Sequence, residues 1–139
     1  MKLKTTKGIS LNLNISPSKH PIRPYDKKKS QFQYDVGVVL QELFPQYDIL
    51  EEFYIPMDNV YLDFFIPKLR LVVEAHGKQH YQFIPHFHNF MHNFLNGKMR
   101  DSKKEEWCKC NRLEIVTLPY TENTLEKIKI FLGNYLKGG

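Results

Sequence analysis

Asp63 and Glu74 are the residues of this chain best placed to do chemistry. Asp63 interrupts the apolar run from Tyr61 to Ile66, and Glu74 closes the run from Leu69 to Ala75. Adjacent strands can bring two such acids to one sheet edge. There, hard carboxylate oxygens suit Mg²⁺, or alternatively Mn²⁺, and a bound ion activates water for phosphodiester hydrolysis. The competing reading is that both are ordinary solvent-facing strand residues, since short motifs discriminate weakly. Polar residues crowd just beyond: His76, Lys78, Gln79 and His80, then Arg100, Asp101, Lys103 and Lys104. Together these supply candidate metal ligands, a base, and cations for a scissile phosphate.

The elements that must position these residues follow from periodicity. Phe32, Val36, Val39, Leu40 and Leu43 recur at helical spacing between Gln31 and Phe44, with Pro45 just beyond, which predicts an amphipathic helix that Gly37 weakens slightly. Three strand-like runs come next, Tyr47 to Ile55, Val60 to Ile66 and Leu69 to Ala75. They are separated by Pro56-Met57-Asp58-Asn59 and by Pro67-Lys68, both with turn chemistry, and so predict a meander. After a turn at Gly77, about Phe87 to Cys110 reads as helix, with Asn96-Gly97 as a point of interruption. Leu113 to Leu118 reads as a strand closed by Pro119, and Glu122 to Leu136 as a final helix ending at Gly138-Gly139.

A length of 139 residues, 42% of them hydrophobic, supports one core and one domain. Lys and Arg number 20 against 15 acids, and the net charge of +5 favours a polyanionic partner: DNA, RNA or an anionic membrane surface. Residues 1–29 carry Lys2, Lys4, Lys7, Lys19, Arg23, Lys27, Lys28 and Lys29 against the single acid Asp26. They form a basic N-terminal arm ahead of a domain at 30–139, and the arm either tracks phosphates or is merely solvated. Within it, Ile9, Leu11, Leu13 and Ile15 alternate like an edge strand or hairpin arm before a linker broken by Pro17, Pro21 and Pro24. No apolar run of about 18 residues and no apolar signal core is present, so the expectation is a soluble, intracellular protein with no membrane partner. Cys108 and Cys110 lie two apart on a predicted helix, where side chains diverge, and are read as reduced thiols.

Three landmarks occur in order: Asp63, then Glu74-Ala75-His76-Gly77-Lys78-Gln79-His80, then Asp101 to Lys104 followed by Trp107-Cys108 and a strand ending Pro119-Tyr120. Over about residues 30 to 120 this series resembles the small phage-type endonucleases of the PD-(D/E)xK superfamily. The branch it is most similar to is that of very-short-patch repair nucleases and homing endonucleases with an EDxHD site. The resemblance implies an α/β restriction-endonuclease-like core, in the order helix, three strands, helix, strand, helix, around a mixed central sheet. It implies a Mg²⁺-dependent endonuclease that binds DNA, with no small-molecule cofactor, acting in the cytoplasm of a host cell if phage-encoded. It makes Asp63 the central metal ligand and Glu74 the second, and places Asp35, or Glu42 further on, where the family carries a helix acid. His80 corresponds to the motif histidine, a base or water-positioning group. Asp101 corresponds to the last acid, which orients that histidine or holds a water. Lys104 corresponds to the lysine after it, which contacts phosphate or caps the helix surface. The chain departs from the pattern at His76, where relatives carry Asp and the wider superfamily Lys. His76 is then a metal ligand, a replacement base or a mark of weakened catalysis, and Lys78 is near enough in sequence to replace the lysine.

Other assignments compete for the same residues. His86, His88 and His92 with Cys108 and Cys110 could form a zinc site, though their spacing fits no standard zinc motif. Phe87, Phe90 and Phe94 read as core or as base-stacking residues, Trp107 as core, and Lys127 and Lys129 as a solvated helix face. Lys27, Lys28, Lys29, Lys78 and Lys104 are the candidate nucleic-acid contacts. The functional alternatives are a catalytically weak DNA-binding module of the same fold and an RNA nuclease. One active site would nick, whereas a double-strand break needs two copies, which leaves a homodimer open.

Overall fold

Two turns of equal length set the geometry of the central sheet. In the computed structural model, which describes residues 1–13, 30–76, 91–122 and 124–138, the chain forms β1 (Lys2–Lys4), β2 (Ser10–Asn12), α1 (Gln31–Leu43), β3 (Leu50–Ile55), β4 (Val60–Ile66), β5 (Leu71–His76), α2 (Met91–Cys110), β6 (Glu114–Pro119) and α3 (Leu125–Gly138). The turn at 56–59 pairs Ile55 with Val60, and the turn at 67–70 pairs Ile66 with Leu71, so β3, β4 and β5 form the expected antiparallel meander. β6 then lies parallel to β5, with Glu74 opposite Thr117, which completes a mixed four-stranded sheet in the order β3-β4-β5-β6. A parallel neighbour requires a crossover, and the 20-residue α2 supplies it.

Apolar faces divide the molecule into two cores. Val36, Val39 and Leu40 of α1, with Ile128 and Leu132 of α3, pack on Phe64, Ile66, Leu71, Val73, Val116 and Leu118. On the other side Trp107 and Cys108 of α2 pack with Leu50, Phe53, Leu62, Phe65 and Val72. Trp107 is therefore core, with its ring edge-on to Phe65 at a centroid distance of 6.4 Å. Strict alternation would put Phe53 and Phe65 on opposite faces, yet their rings meet at 5.3 Å. The pleat thus changes phase at the row between them, where Glu52 stands opposite Asp63 and adopts a left-handed backbone with φ 54°.

The N-terminal alternation forms a hairpin, with β1 and β2 paired antiparallel and Leu3 buried in the second core. Asn111 holds it from the end of α2: its Oδ1 accepts the Lys4 N–H at 2.7 Å, and its Nδ2 donates to the carbonyls of Lys4 and Trp107, both at 2.9 Å. Residues 14–29, which carry the rest of the basic arm including Lys27, Lys28 and Lys29, lie outside the described residues.

Local differences from the expected elements have local causes. β3 starts at Leu50 because the preceding residues cover the end of α1, where the Tyr47 N–H donates to the Phe44 carbonyl and the two rings meet edge-on. β5 starts at Leu71 because Pro67–Leu69 forms one 3-10 turn ended by Arg70 in the left-handed region. α2 runs unbroken through Asn96 and Gly97. α3 begins later than expected because Thr124 caps it, its Oγ1 accepting the Lys127 N–H. No helix among the described residues is long and apolar enough to cross a membrane.

Replacing Asn111 by Ala leaves both Lys4 backbone groups without their partner, at a cost of about 1–3 kcal/mol. Asn111→Ala is expected to speed amide hydrogen exchange across residues 1–13 while exchange in β4 and β5 changes far less.

Candidate active site

Glu52, Asp63 and Glu74 follow one another at a spacing of 11 residues, and each connection between their strands is the same length. One row across three neighbouring strands therefore carries three acids, and Thr117 of β6 extends it. This row lies within the sheet, with Asp63 and Glu74 on its two central strands, and not at an outer edge.

At this row the pairing of β4 with β5 gives way, because the register stops at Phe64 opposite Val73. The acids take over from the backbone. The Asp63 N–H donates to Glu74 Oε2 at 2.6 Å, and the Ala75 N–H donates to Asp63 Oδ2 at 2.8 Å. Each carboxylate thus satisfies a backbone donor on the opposite strand, which fixes both side chains at the fork. From α2, Lys104 reaches down and donates to Glu74 Oε1 at 2.6 Å. Glu74 is only 1% exposed, so this is a buried ion pair.

Burial pushes the Asp63 carboxyl from its ordinary 3.8 up to about 8, and the neighbouring Glu74 charge adds to the rise. Burial also raises Glu74, against the opposing pull of Lys104. Burial alone would lower Lys104, but the attraction of Glu74 and Asp63 outweighs it and holds the ammonium proton more tightly than usual. Two carboxylates with one ammonium leave one negative charge to be neutralised, by a proton on Asp63 or by a cation. The donor chemistry fits Mg²⁺ or Mn²⁺, since magnesium is commonly held by one or two carboxylates and keeps several waters. Among the described residues, no group of three or more His, Cys, Asp or Glu side chains gathers closely enough to hold a metal ion by itself.

His76 ends β5, with its Nε2 3.9 Å from Asp101 Oδ1 on α2, and both side chains are largely enclosed. The structure thus brings Asp63, Glu74, His76, Asp101 and Lys104 together. Lys104 neither caps the helix surface nor projects into solvent; it faces Glu74. Asp35 points elsewhere, its Oδ1 accepting from Gln31 one turn earlier at 2.8 Å. Glu42 pairs with Lys129 of α3 at 2.7 Å on the exposed surface. Lys78 and His80 lie outside the described residues, as do His86 and His88. Cys108 is buried in the second core beside Trp107, and burial with the Glu74 charge pushes its thiol up to about 12.

Sequence reasoning missed Gln33, Glu51 and Glu52. Gln33 is the α1 residue that reaches the acid row, its Nε2 donating to Glu51 Oε2 and Glu52 Oε1, each at 2.9 Å. Turn lengths could have found Glu52, because counting back from the pairing of Ile55 with Val60 sets it opposite Asp63.

The chain is 42% identical over 79 residues to "Uncharacterized protein 307L" of Invertebrate iridescent virus 6, a match covering 57% of this chain and 39% of that protein. It is 38% identical over 64 residues to "Uncharacterized protein 033L" of Invertebrate iridescent virus 3, covering 46% of this chain and 33% of that protein. The matches thus span well under half the length of these viral relatives. No protein-family profile and no solved structure matches the chain.

Removing the Lys104 charge strands Glu74 in the interior, so Lys104→Met is expected to destabilise the fold by about 3–5 kcal/mol. Lys104→Met combined with Glu74→Gln should recover much of that loss in a denaturant titration. Asp63 binds its proton more tightly folded than unfolded. Its contribution is therefore full below the unfolded value of 3.8 and is lost as the pH rises through about 8. Asp63→Asn is accordingly expected to flatten the fall in stability across this window, with a Tm above the parent's by roughly 3–8 °C at the alkaline end and less at the acid end.

Proposed function

We propose that the protein is a metal-dependent DNA endonuclease with a restriction-endonuclease-like core. The observation that carries the proposal is the pair of the half-buried Asp63 and the buried Glu74, linked through backbone donors at the fork of β4 and β5 with Lys104 against it. The order of motifs along the chain and the net charge of +5 support the same reading. Asp63 and Glu74 would hold Mg²⁺ or Mn²⁺. Such an ion, when bound, lowers the pKa of coordinated water and offsets charge on a phosphate.

The chain's own residues have separable tasks. The Ala75 N–H and the opposing strand orient Asp63, so its carboxylate is set before substrate arrives. Lys104 pulls against the burial that raises the Glu74 carboxyl, and it would bring a positive charge to the place where a phosphodiester gains negative charge. His76 can take or return a proton at Nε2, with Asp101 beside it to orient the ring. His80, the motif histidine by resemblance, is the alternative proton carrier. Exclusion of water by Trp107 and Phe65 beneath the site strengthens these charge interactions.

A catalytically weak DNA-binding module of the same fold is the second candidate. Its specific support is that both oxygens of Glu74 are already engaged, by Lys104 and by the Asp63 N–H, while His76 stands where lysine or aspartate is expected.

The deciding experiment incubates the protein with supercoiled plasmid in Mg²⁺, Mn²⁺ or EDTA and follows nicked and linear products. Metal-dependent cutting that falls by about 10²-fold or more in Asp63→Asn and Glu74→Gln is the expected result. Salt-sensitive binding without cutting in any metal would instead identify the binding module. Preferential cleavage of RNA over duplex DNA would assign the site to an RNA nuclease.

A further inference from the structure

The contacts of α2 fix how that helix lies over the acid pair. Lys104 reaches Glu74, while Asp101, one turn earlier, lies beside His76 at the end of β5, so α2 runs antiparallel to β5. Trp107 meets Phe65 of β4 edge-on. The edge of α2 that carries Trp107 therefore lies over β4, and the edge that carries Asp101 lies over β5. Arg100 precedes Lys104 by four residues and Trp107 by seven, so it shares their face and leans to the β4 side, which is the side of Asp63. It stands one turn, roughly 6 Å, beyond Lys104 along the helix axis. In that direction β4 and β5 have left their pairing and the site opens.

Arg100 sits on the stripe that carries Lys104 and Trp107 to the sheet, yet it is exposed, whereas the side chains of Asp101 and Lys104 keep only 16% and 14% of their surface. Its guanidinium forms no hydrogen bond or ion pair among the described residues, and no acid stands three or four positions from it along α2. Lys103 and Lys104 occupy the following positions at that spacing, so α2 gathers three like charges on neighbouring sites, a pattern that costs a helix stability. Glu74 answers the charge of Lys104. Nothing described within the site answers that of Arg100, because backbone amides and Lys104 already engage the two acids. The partner this geometry lacks is an anion from outside. A guanidinium suits a phosphodiester, since its planar fork donates two parallel hydrogen bonds to two phosphate oxygens.

We propose that Arg100 grips a backbone phosphate of DNA at the open end of the β4 and β5 fork, and so sets the phosphodiester over Asp63 and Glu74. The assignment deepens the nuclease reading and rests on it for the identity of the anion as DNA. The guanidinium would donate to the non-bridging oxygens of that phosphate. A lysine in its place would keep the charge and lose the fork, so the two residues are not interchangeable here.

Fluorescence anisotropy of a labelled DNA duplex in EDTA, over a range of salt, reads this contact without any cleavage. Arg100→Gln is expected to weaken binding several-fold and to reduce the salt slope by about 1. Lys109→Gln removes an exposed cation from the last turn of α2, nine residues on and so on the opposite side of the helix, and is expected to change affinity less than about two-fold. Both positions are exposed, so both variants should keep the parent's Tm. With supercoiled plasmid in Mg²⁺, cutting is expected to fall about 10²-fold in Arg100→Gln and about ten-fold in Arg100→Lys. Failure of the parent to bind duplex, equal losses in Arg100→Gln and Lys109→Gln, or parental cutting by either Arg100 variant would overturn the proposal. A parent that binds through Arg100 and cuts in no metal would sink the nuclease reading and leave the phosphate contact standing, so the two failures are distinguishable.

Discussion

Carboxylates taken out of water repel each other, so a fold that sets a half-buried Asp63 beside a buried Glu74 must supply donors and positive charge. Here the requirement is met by backbone and helix together. The Asp63 and Ala75 amides occupy one oxygen on each acid, and the Lys104 ammonium occupies the second oxygen of Glu74. Most of the surrounding structure is organised by this demand. β4 and β5 separate at the row where the acids replace ladder bonds, and α2 must lie across that face for Lys104 to reach Glu74. The residual negative charge is what makes the site chemically suggestive, because it holds either a proton on Asp63 or a cation.

The two cores serve this arrangement from opposite sides. α1 and α3 cover one face of the sheet, while α2 and the N-terminal hairpin cover the other, leaving the central strands enclosed. Trp107 and Cys108 lie on the turn of α2 after Lys104, so their burial sets the depth at which the lysine enters the sheet. Asn111, one residue beyond α2, bonds the first strand of the chain. A single helix thus links the candidate site, the second core and the N-terminal hairpin. A perturbation of any of these will be felt by the others through packing.

The change in pleat phase at Glu52 and Asp63 has its own consequence. It moves Phe53 and Leu62 onto the α2 side and leaves Tyr54 and Tyr61 outward, beyond the described helices of the opposite face. The left-handed backbone at Glu52 is strained for a residue with a side chain, and the interactions of Glu52 and Glu51 with Gln33 hold it there. The burial of Phe53 and Leu62 on the α2 side and the exposure of Tyr54 and Tyr61 are therefore two results of one local distortion.

Local signals of the chain determined the order of elements, the meander and the acids Asp63 and Glu74, because hydrophobic period and turn chemistry act over a few residues. Turn length even encoded the acid row, since two equal connections carry a spacing of 11 residues into register. Local signals misplaced the helix contribution. Asp35 and Gln33 are two positions apart on α1, so they face different directions, and only the docking of that helix on the sheet selects Gln33. The role of Lys104 was equally undecided, because a lysine on a charged helix reads as solvated until the helix is laid over a buried carboxylate. The depth of burial, the phase of the pleat and the partner of each charge depend on contacts between residues far apart in the chain, and the tertiary structure alone decided them.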